Sequence, residues 1–316
     1  MEKLKILFMG TPDFALFSLK ALADANYEIV GVVTQPDKPK GRGYELLPPP
    51  VKVFALERGL PVYQPATLRD ETFAELLKTL DPNLIVVVAY GKILPQNVLD
   101  YPKFGCVNVH GSLLPEYRGA APMQRAIIDG KKVTGITTMK MEAGLDTGEM
   151  YEQATLPIGD DDNFEVVHDA LGALGARLLL STIEKLECGV LVGTPQDDAK
   201  ATYAKKIEKE DCKLDFARPA RELHNLIRGL SPLPLAVTTL PDGKLLKIVS
   251  AKVSDCSKKG RPGEILSLDG GKITVACKEG ALDLLTLVPE GKKKMSAQDL
   301  INGRRVKVGD LLGSHG

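Results

Sequence analysis

Apolar and polar positions follow one another in blocks along the first 190 residues, and these blocks predict strands and helices in turn. Apolar runs without alternation, such as residues 84–89, are typical of parallel strands that are covered on both faces. The predicted strands are 5–9, 28–34, 84–89, 106–109 and 133–141, and the predicted helices are 14–23, 51–58, 71–80, 121–129 and 164–187. This order predicts a Rossmann-like α/β fold with a doubly wound, mostly parallel sheet.

The pattern changes after residue 190. Residues 191–208 are polar and charged around Gly193-Thr194-Pro195, which is typical of a linker. One predicted helix (219–228) is then followed by short strand-like segments that are separated by turn sequences such as Pro241-Asp242-Gly243. Short strands at this spacing indicate a small barrel. We therefore predict a catalytic domain at 1–190, a linker at 191–208 and a β-barrel domain at 209–316.

The composition is that of a soluble globular protein, with 44% hydrophobic and 26% charged residues in a chain of 316. No apolar run approaches the roughly 20 residues of a membrane span. The amino-terminal sequence has neither a signal peptide nor a transit segment, so we expect a cytoplasmic location. The five cysteines are scattered and include no Cys-x-x-Cys pair, which argues against a disulfide framework and against a zinc site.

Charge is distributed unevenly although the net charge is zero. Residues 206–316 contain 20 lysines and arginines against 14 aspartates and glutamates, whereas residues 1–205 contain 21 against 27. A basic carboxy-terminal domain is suited to a polyanionic partner, although an imbalance of this size is also common among soluble domains. The long segment 35–50 carries Lys38, Lys40 and Arg42 beside glycines. It is suited to phosphate contact, or it is an ordinary solvated loop.

The candidate chemistry lies at the end of the predicted strand 106–109. Asn108 and His110 are two residues apart, so in a strand both side chains point to the same side. Asp146, in the glycine-bounded segment 144–148, could approach the histidine from another loop and orient it. An isolated histidine at a strand end is often only structural, but the neighbouring amide favours catalysis. Together the three residues suggest an acyl-transfer site without a covalent nucleophile.

Other candidates carry less information. The remaining histidines, at positions 168, 224 and 315, have no such neighbours and are interpreted as structural. Cys106 is flanked by apolar residues and is interpreted as a small core residue. The first turn, Met9-Gly10-Thr11-Pro12-Asp13-Phe14, has only one of the glycines of a dinucleotide-binding motif, which disfavours a dehydrogenase.

Several motifs together resemble those of methionyl-tRNA formyltransferases, in order and along nearly the whole chain. They are Met9–Phe14, Thr34-Gln35-Pro36-Asp37, Gly41-Arg42-Gly43, Val88-Ala89-Tyr90-Gly91, residues 108–115, Tyr117-Arg118-Gly119-Ala120-Ala121-Pro122, residues 144–148, residues 202–207 and residues 223–228. The set formed by Asn108, His110, residues 112–115 and Asp146 is shared more widely among enzymes that use 10-formyltetrahydrofolate. It therefore indicates the chemistry strongly and the acceptor weakly.

The resemblance implies a formyl donor, an acceptor and a role for each matching residue. The donor is 10-formyltetrahydrofolate, without a metal, and the acceptor is initiator methionyl-tRNA. Asn108, His110 and Asp146 would be catalytic: the amide stabilises an oxyanion, the imidazole exchanges protons, and the carboxylate holds the imidazole and favours its charged form. The folate-contacting turn would consist of Ser112, Leu113, Leu114 and Pro115. The carboxy-terminal domain would be an OB-type barrel, and Arg42 and Lys206 would contact tRNA phosphates.

The chain departs from the family in having no tryptophan. Phe216 and Leu233 stand where the family often has tryptophan, and both are expected to bury apolar area. Three alternatives stay open at this point. A formyltransferase of the same fold could act on a nucleotide-linked amino sugar, a formyltetrahydrofolate hydrolase could use water as the acceptor, and an inactive tRNA-binding protein would need none of the three polar residues.

Overall fold

The computed structural model describes residues 4–40 and 45–313, without the side chains of residues 39, 40 and 45. Its strands are β1 (Lys5–Gly10), β2 (Glu28–Val33), β3 (Lys38–Lys40), β4 (Glu45–Leu47), β5 (Val62–Tyr63), β6 (Leu84–Val88), β7 (Cys106–His110), β8 (Arg118–Gly119), β9 (Val133–Lys140), β10 (Met150–Pro157), β11 (Tyr203–Ala204), β12 (Ala236–Thr239), β13 (Leu245–Ser254), β14 (Ile265–Ser267), β15 (Ile273–Ala276), β16 (Ala281–Pro289) and β17 (Met295–Ser296). Its α-helices are α1 (Asp13–Asp24), α2 (Pro50–Glu57), α3 (Glu71–Leu80), α4 (Gln96–Leu99), α5 (Pro122–Ile128), α6 (Phe164–Glu187), α7 (Ala220–Gly229) and α8 (Ala297–Asn302).

The chain divides into two compact units. The first unit consists of Met1–Gly119, Thr134–Leu156 and His168–Tyr203, and the second consists of Ala120–Val133, Pro157–Val167 and Ala204–Gly316. The domain limits expected from the sequence (1–190, 191–208 and 209–316) stay a prediction.

The first unit is built on a seven-stranded sheet in the order β10-β9-β7-β6-β1-β2-β5. Strands β7, β6, β1, β2 and β5 pair in parallel, whereas β9 pairs antiparallel to β7. All five residues of β6 are buried, as its unbroken apolar run predicts. The predicted mostly parallel α/β sheet is therefore confirmed. Strand β10 was not predicted, since its alternating half-buried and exposed positions give a weak apolar pattern at the sheet edge.

The carboxyl ends of the central parallel strands meet at one edge of this sheet. The Thr11 hydroxyl, which follows β1, donates to the backbone oxygen of Tyr90, which follows β6 (3.2 Å). The Gln35 amide, which follows β2, donates to the same oxygen (3.0 Å). Because β7 is parallel to β6, its last residue, His110, lies at this edge too. In open α/β sheets this is the edge where ligands usually bind.

Helix α6 approaches strand β7 closely because it carries glycine on the face that meets the sheet. A Cβ on Gly175 would lie only 3.0 Å from the Cγ1 of Val109 in β7. A Cβ on Gly172 would lie 2.4 Å from the ring of Phe17, so this second glycine allows close contact with helix α1. By length and composition alone α6 could also cross a membrane, and half of its apolar window is buried inside the protein.

The segment between β2 and α2 contains a short hairpin. Strands β3 and β4 pair antiparallel from Lys38 opposite Leu47 to Lys40 opposite Glu45. This pairing was not predicted, since prolines and glycines on both sides favour an irregular loop. At the base of the hairpin, Asp37 accepts hydrogen bonds from Lys52 and Gln64 at 2.8 to 2.9 Å, and the bond from Lys52 helps to lower the pKa of Asp37.

The second unit contains an antiparallel sheet that curls into a half-barrel, in the order β12-β13-β16-β15-β14, with β17 paired to β16. This confirms the small β-barrel that was predicted after the polar segment. Phe216 is buried in its core, as expected. The expectation for Leu233 is wrong: it is 71% exposed, because it lies between two prolines in the surface turn that connects α7 to β12.

A buried carboxylate in the half-barrel makes the stability of the protein depend on pH. Asp283 accepts hydrogen bonds from the Thr274 hydroxyl (2.7 Å) and from the Lys272 ammonium (2.5 Å). Burial raises the pKa of Asp283, but these hydrogen bonds outweigh burial and hold the pKa below its usual value. The carboxylate therefore stabilises the fold at pH values above the pKa that it has in the unfolded chain. This contribution decreases below that pH and is lost once the pH has fallen through the lower pKa of the folded protein.

We predict that Asp283→Asn lowers the free energy of unfolding at pH 7 by about 1–3 kcal/mol, because the hydrogen bonds to a charged group are lost. The difference from the wild type should shrink below about pH 4, where the unfolded carboxyl becomes protonated. Urea unfolding at pH 7 and at pH 3.5 measures both values. Asp242→Asn, at an exposed turn, serves as the control and should change little. An equal deficit for Asp283→Asn at both pH values would contradict a role for the charge.

Candidate active site

Strand β7 carries Asn108 and His110 into the carboxyl edge of the sheet. Asn108 pairs with Val87 of β6 and with Met139 of β9, so its position is fixed from both sides. Its side chain is half-buried and has no hydrogen-bond partner among the residues that the structure describes. The amide hydrogens of Asn108 are therefore available to a bound molecule.

The imidazole of His110 is held by a backbone carbonyl. His110 is only 6% exposed, and its Nε2 lies 3.0 Å from the backbone oxygen of Tyr117. A carbonyl oxygen can only accept a hydrogen bond, so Nε2 must carry the proton. In the neutral ring, Nδ1 then carries the lone pair. Nδ1 is therefore the nitrogen that can take up or release a proton.

Asp146 faces this nitrogen from the loop between β9 and β10. Its Oδ2 lies 3.7 Å from the Nδ1 of His110 and accepts a hydrogen bond from the backbone N–H of Gly119 (2.8 Å). A separation of 3.7 Å is too long for a direct hydrogen bond, but it is close enough for charge attraction once the imidazole is protonated. Both side chains are mostly buried, which strengthens their electrostatic interaction.

The loop that carries Asp146 is tightly wound. Asp146 has a left-handed backbone (φ 53°), a conformation that aspartate tolerates better than most residues. A Cβ on Gly148 would lie 1.9 Å from the backbone oxygen of Lys140, so only glycine can occupy this position without rearrangement. The glycine-bounded sequence therefore reflects the tight turn that presents the carboxylate.

The short segment Tyr117–Gly119 positions both catalytic candidates. Its first residue accepts the hydrogen bond from His110, and its last residue donates one to Asp146. The segment is itself held by Thr202, whose hydroxyl accepts from the N–H of Tyr117 and whose backbone oxygen accepts from that of Arg118, both at 2.8 Å. Sequence reasoning missed these roles because backbone groups have no residue-specific signal.

The predicted folate-contacting turn, residues 112–115, has two buried and two half-buried side chains. Ser112 is fully buried, and its hydroxyl donates to the backbone oxygen of Glu116 (2.6 Å). Leu114 is 3% exposed. Leu113 and Pro115 are half-buried and thus partly accessible. Of the four side chains, these two are therefore the ones open to a ligand, and the role of the turn stays a prediction.

The two residues predicted to contact tRNA phosphates are Lys206 and Arg42. Lys206 belongs to the second unit and has a largely exposed side chain. Its Nζ lies 3.7 Å from the Oε1 of Glu208. Arg42 lies outside the described residues. Their contacts with phosphates stay predictions.

Cys106 and His168 are two further titratable side chains of the first unit. Burial raises the pKa of Cys106 to about 12, and the residue belongs to a hydrophobic core, as predicted. His168 packs against Phe14 and Phe17 and lies between Asp13 and Asp169. In residues 4–40 and 45–313, no group of three or more His, Cys, Asp or Glu residues could hold a metal ion.

Two solved structures share the fold at low sequence identity. HypX from Aquifex aeolicus, in a complex with tetrahydrofolic acid, superposes with a TM-score of 0.65 at 17% identity over 95% of this chain and 47% of its own. The sugar 3N-formyltransferase WlaRD, with dTDP and 5-N-formyl-THF present, superposes with a TM-score of 0.65 at 18% identity over 93% of this chain and 100% of its own. At these identities the two structures support the fold alone.

Sequence comparison gives a closer relationship. The formyl transferase family matches residues 3–183, and the formyl transferase carboxy-terminal domain matches residues 206–305. A methionyl-tRNA formyltransferase from Geobacter metallireducens is 47% identical over 313 residues, which cover 99% of this chain and 100% of that protein. Identity of this extent, in both domains, shows that the chain belongs to the methionyl-tRNA formyltransferase family.

Proposed function

We propose that the protein transfers the formyl group of 10-formyltetrahydrofolate to the α-amino group of initiator methionyl-tRNA. The proposal is supported by the approach of the Asp146 carboxylate to the imidazole of His110. His110 shares strand β7 with Asn108 and lies at the carboxyl edge of the sheet, where open α/β sheets usually bind ligands. The family supplies the donor and the acceptor. The product, N-formylmethionyl-tRNA, would serve translation initiation in the cytoplasm.

The reaction exchanges one carbon–nitrogen bond for another. The methionyl amine forms a bond to the formyl carbon, the bond from that carbon to the folate nitrogen breaks, and one proton moves from the amine to the folate nitrogen. A neutral primary amine is already a nucleophile, so no covalent formyl-enzyme intermediate on a serine or cysteine is needed. The remaining tasks are to transfer the proton and to stabilise the tetrahedral oxyanion.

His110 and Asn108 fit these two tasks. Nδ1 of His110 carries a lone pair in the neutral ring and can accept the proton of the attacking amine. The Asp146 carboxylate, 3.7 Å away, then stabilises the imidazolium until the proton is passed on. The half-buried Asn108 amide can donate to the oxyanion, an interaction that typically contributes on the order of 10²–10³ in rate.

The acceptor is assigned by the similarity that extends through both domains. Relatives of nearly the same length are methionyl-tRNA formyltransferases, whereas the sugar formyltransferase is under 20% identical. The basic balance of residues 206–316 is suited to a nucleic acid partner. An enzyme that formylates a nucleotide-linked amino sugar is therefore the weaker alternative.

We expect the protein to form N-formylmethionyl-tRNA when it is mixed with 10-formyltetrahydrofolate and charged initiator tRNA. Parallel reactions contain a dTDP-linked amino sugar, or no acceptor at all, with tetrahydrofolate release as the common readout. If tetrahydrofolate were released without an acceptor as fast as with tRNA, the protein would instead be a hydrolase. Formylation of the sugar but not of the tRNA would contradict the proposed acceptor.

We predict that His110→Ala lowers kcat by about 10²–10⁴-fold, the usual contribution of a general acid–base group. Binding of initiator tRNA should stay within about threefold of wild type, since the change removes no phosphate contact. Single-turnover formylation and filter binding measure the two effects. His110→Ala with a normal rate would remove the imidazole from the mechanism.

We predict that Arg42→Ala weakens tRNA binding and lowers the slope of log Kd against log salt by about 0.7–0.9, the contribution of one phosphate contact. The kcat at saturating tRNA should change little. Arg58→Ala, the same substitution at a surface ion pair with Asp24, is the control and should leave the slope unchanged. An unchanged slope in Arg42→Ala would exclude a phosphate contact at that residue.

A further inference from the structure

The side-chain amide of Gln196 is hydrogen-bonded to the backbone of the loop that carries Asp146. Its side-chain Nε2 donates one hydrogen bond to the backbone oxygen of Asp146 (2.8 Å) and another to that of Gly148 (2.7 Å). Gln196 is 50 residues from Asp146 along the chain, in the polar segment that resembles a linker in the sequence. Both side-chain amide hydrogens of Gln196 are thus donated to the turn of residues 146–148, and the shape of this turn determines the direction of the Asp146 carboxylate.

A buried arginine fixes the orientation of this glutamine. The Nε and Nη2 of Arg118 donate to the Oε1 of Gln196 at 3.0 and 2.8 Å, and Nη2 also donates to Asp198 (2.7 Å). Because Oε1 receives both bonds from a guanidinium, which has only donors, Nε2 must point to the Asp146 loop. Arg118 is 2% exposed, so its side chain has little freedom to move.

The same arginine lies between the two backbone groups that hold the catalytic candidates. Tyr117 accepts from His110, and Gly119 donates to Asp146, so Arg118 is the middle residue of the segment that positions both. The contacts form a closed path from Gly119 to Asp146, through its backbone to Gln196, and through Arg118 back to Gly119. The Asp146 turn is left-handed, a conformation that costs most residues free energy and that aspartate adopts more readily than most. The two hydrogen bonds from Gln196 help to hold it.

We propose that Gln196 is a positioning residue for catalysis: held by Arg118, it fixes the Asp146 turn so that the carboxylate faces the Nδ1 of His110. This inference rests on the proposed formyl transfer. Gln196 does not touch the reacting atoms, so its effect passes through Asp146. Loss of its two bonds should let the turn relax and move the carboxylate, and a displacement of about 1 Å in a catalytic site can cost on the order of 10² in rate.

Two substitutions distinguish the loss of the two hydrogen bonds to the Asp146 turn from the loss of all polar contacts of Gln196. Gln196→Glu keeps an oxygen for Arg118 but replaces the two donors by an acceptor that faces two carbonyl oxygens, whereas Gln196→Met removes every polar contact at similar size. We expect each to lower kcat by about 10–100-fold. The KM for 10-formyltetrahydrofolate should stay within about threefold, because no ligand contact is lost. Gln298→Glu, an exposed glutamine bonded to Asn302 within α8, is the matched control.

A double-mutant cycle with Asp146→Asn identifies the route of the effect. If Gln196 acts through the Asp146 carboxylate, then Gln196→Glu should lower kcat by less than about twofold in the Asp146→Asn background, although it costs tenfold or more alone. A general loss of structure would instead lower kcat by the same factor in the wild-type and the Asp146→Asn backgrounds. Thermal unfolding of all variants, with and without folate, accompanies the kinetics.

The outcomes are distinct. Strong non-additivity with an unchanged KM supports the positioning role. Wild-type kcat in Gln196→Glu and Gln196→Met, or equal costs in both backgrounds, would overturn it. A wild-type protein that forms no formylmethionine under these conditions would contradict the proposed function itself, which the Gln196 variants do not test.

Discussion

The candidate site depends on one structural constraint, the fixed backbone of Tyr117–Gly119. Its carbonyl oxygen at Tyr117 selects which nitrogen of His110 carries the proton, and its N–H at Gly119 sets the direction of the Asp146 carboxylate. One segment of three residues thus positions two side chains, of which one lies at the end of strand β7 and the other in the loop between β9 and β10. Their charges interact in a mostly buried environment, where an error in position changes the electrostatic energy more than it would in water.

The architecture around this segment explains why it stays fixed. Strand β7 is paired on both sides up to Asn108, and His110 is paired with Thr137 of β9. Thr202 binds the backbone of Tyr117 and Arg118, and Gln196 binds the Asp146 turn. Residues that resemble a linker in the sequence therefore support the site. Preorganised catalysis would require side chains that are held in place in this way.

The sequence predicted the features that depend on local patterns. The unbroken apolar run 84–89 gave a buried parallel strand, and the spacing of Asn108 and His110 gave two side chains on one face. Gln196 could not be found in this way, because its role depends on contacts with residues 48 and 50 positions away. The same limit explains Leu233, whose apolar side chain predicts burial although it lies in a surface turn between prolines. Patterns of residue type predict faces and elements, whereas hydrogen bonds to backbone atoms require coordinates.

The tautomer of His110 in the neutral ring tests the assigned roles of its two nitrogens most directly. Long-range ¹H–¹⁵N correlation spectra of the protein with labelled histidine, compared with those of His110→Ala, assign the protonated nitrogen. We expect a proton on Nε2, bonded to the Tyr117 carbonyl, and an unprotonated Nδ1 that faces Asp146. A neutral ring that carries its proton on Nδ1 would overturn the assignment of Nδ1 to proton transfer, since that nitrogen would then have no lone pair.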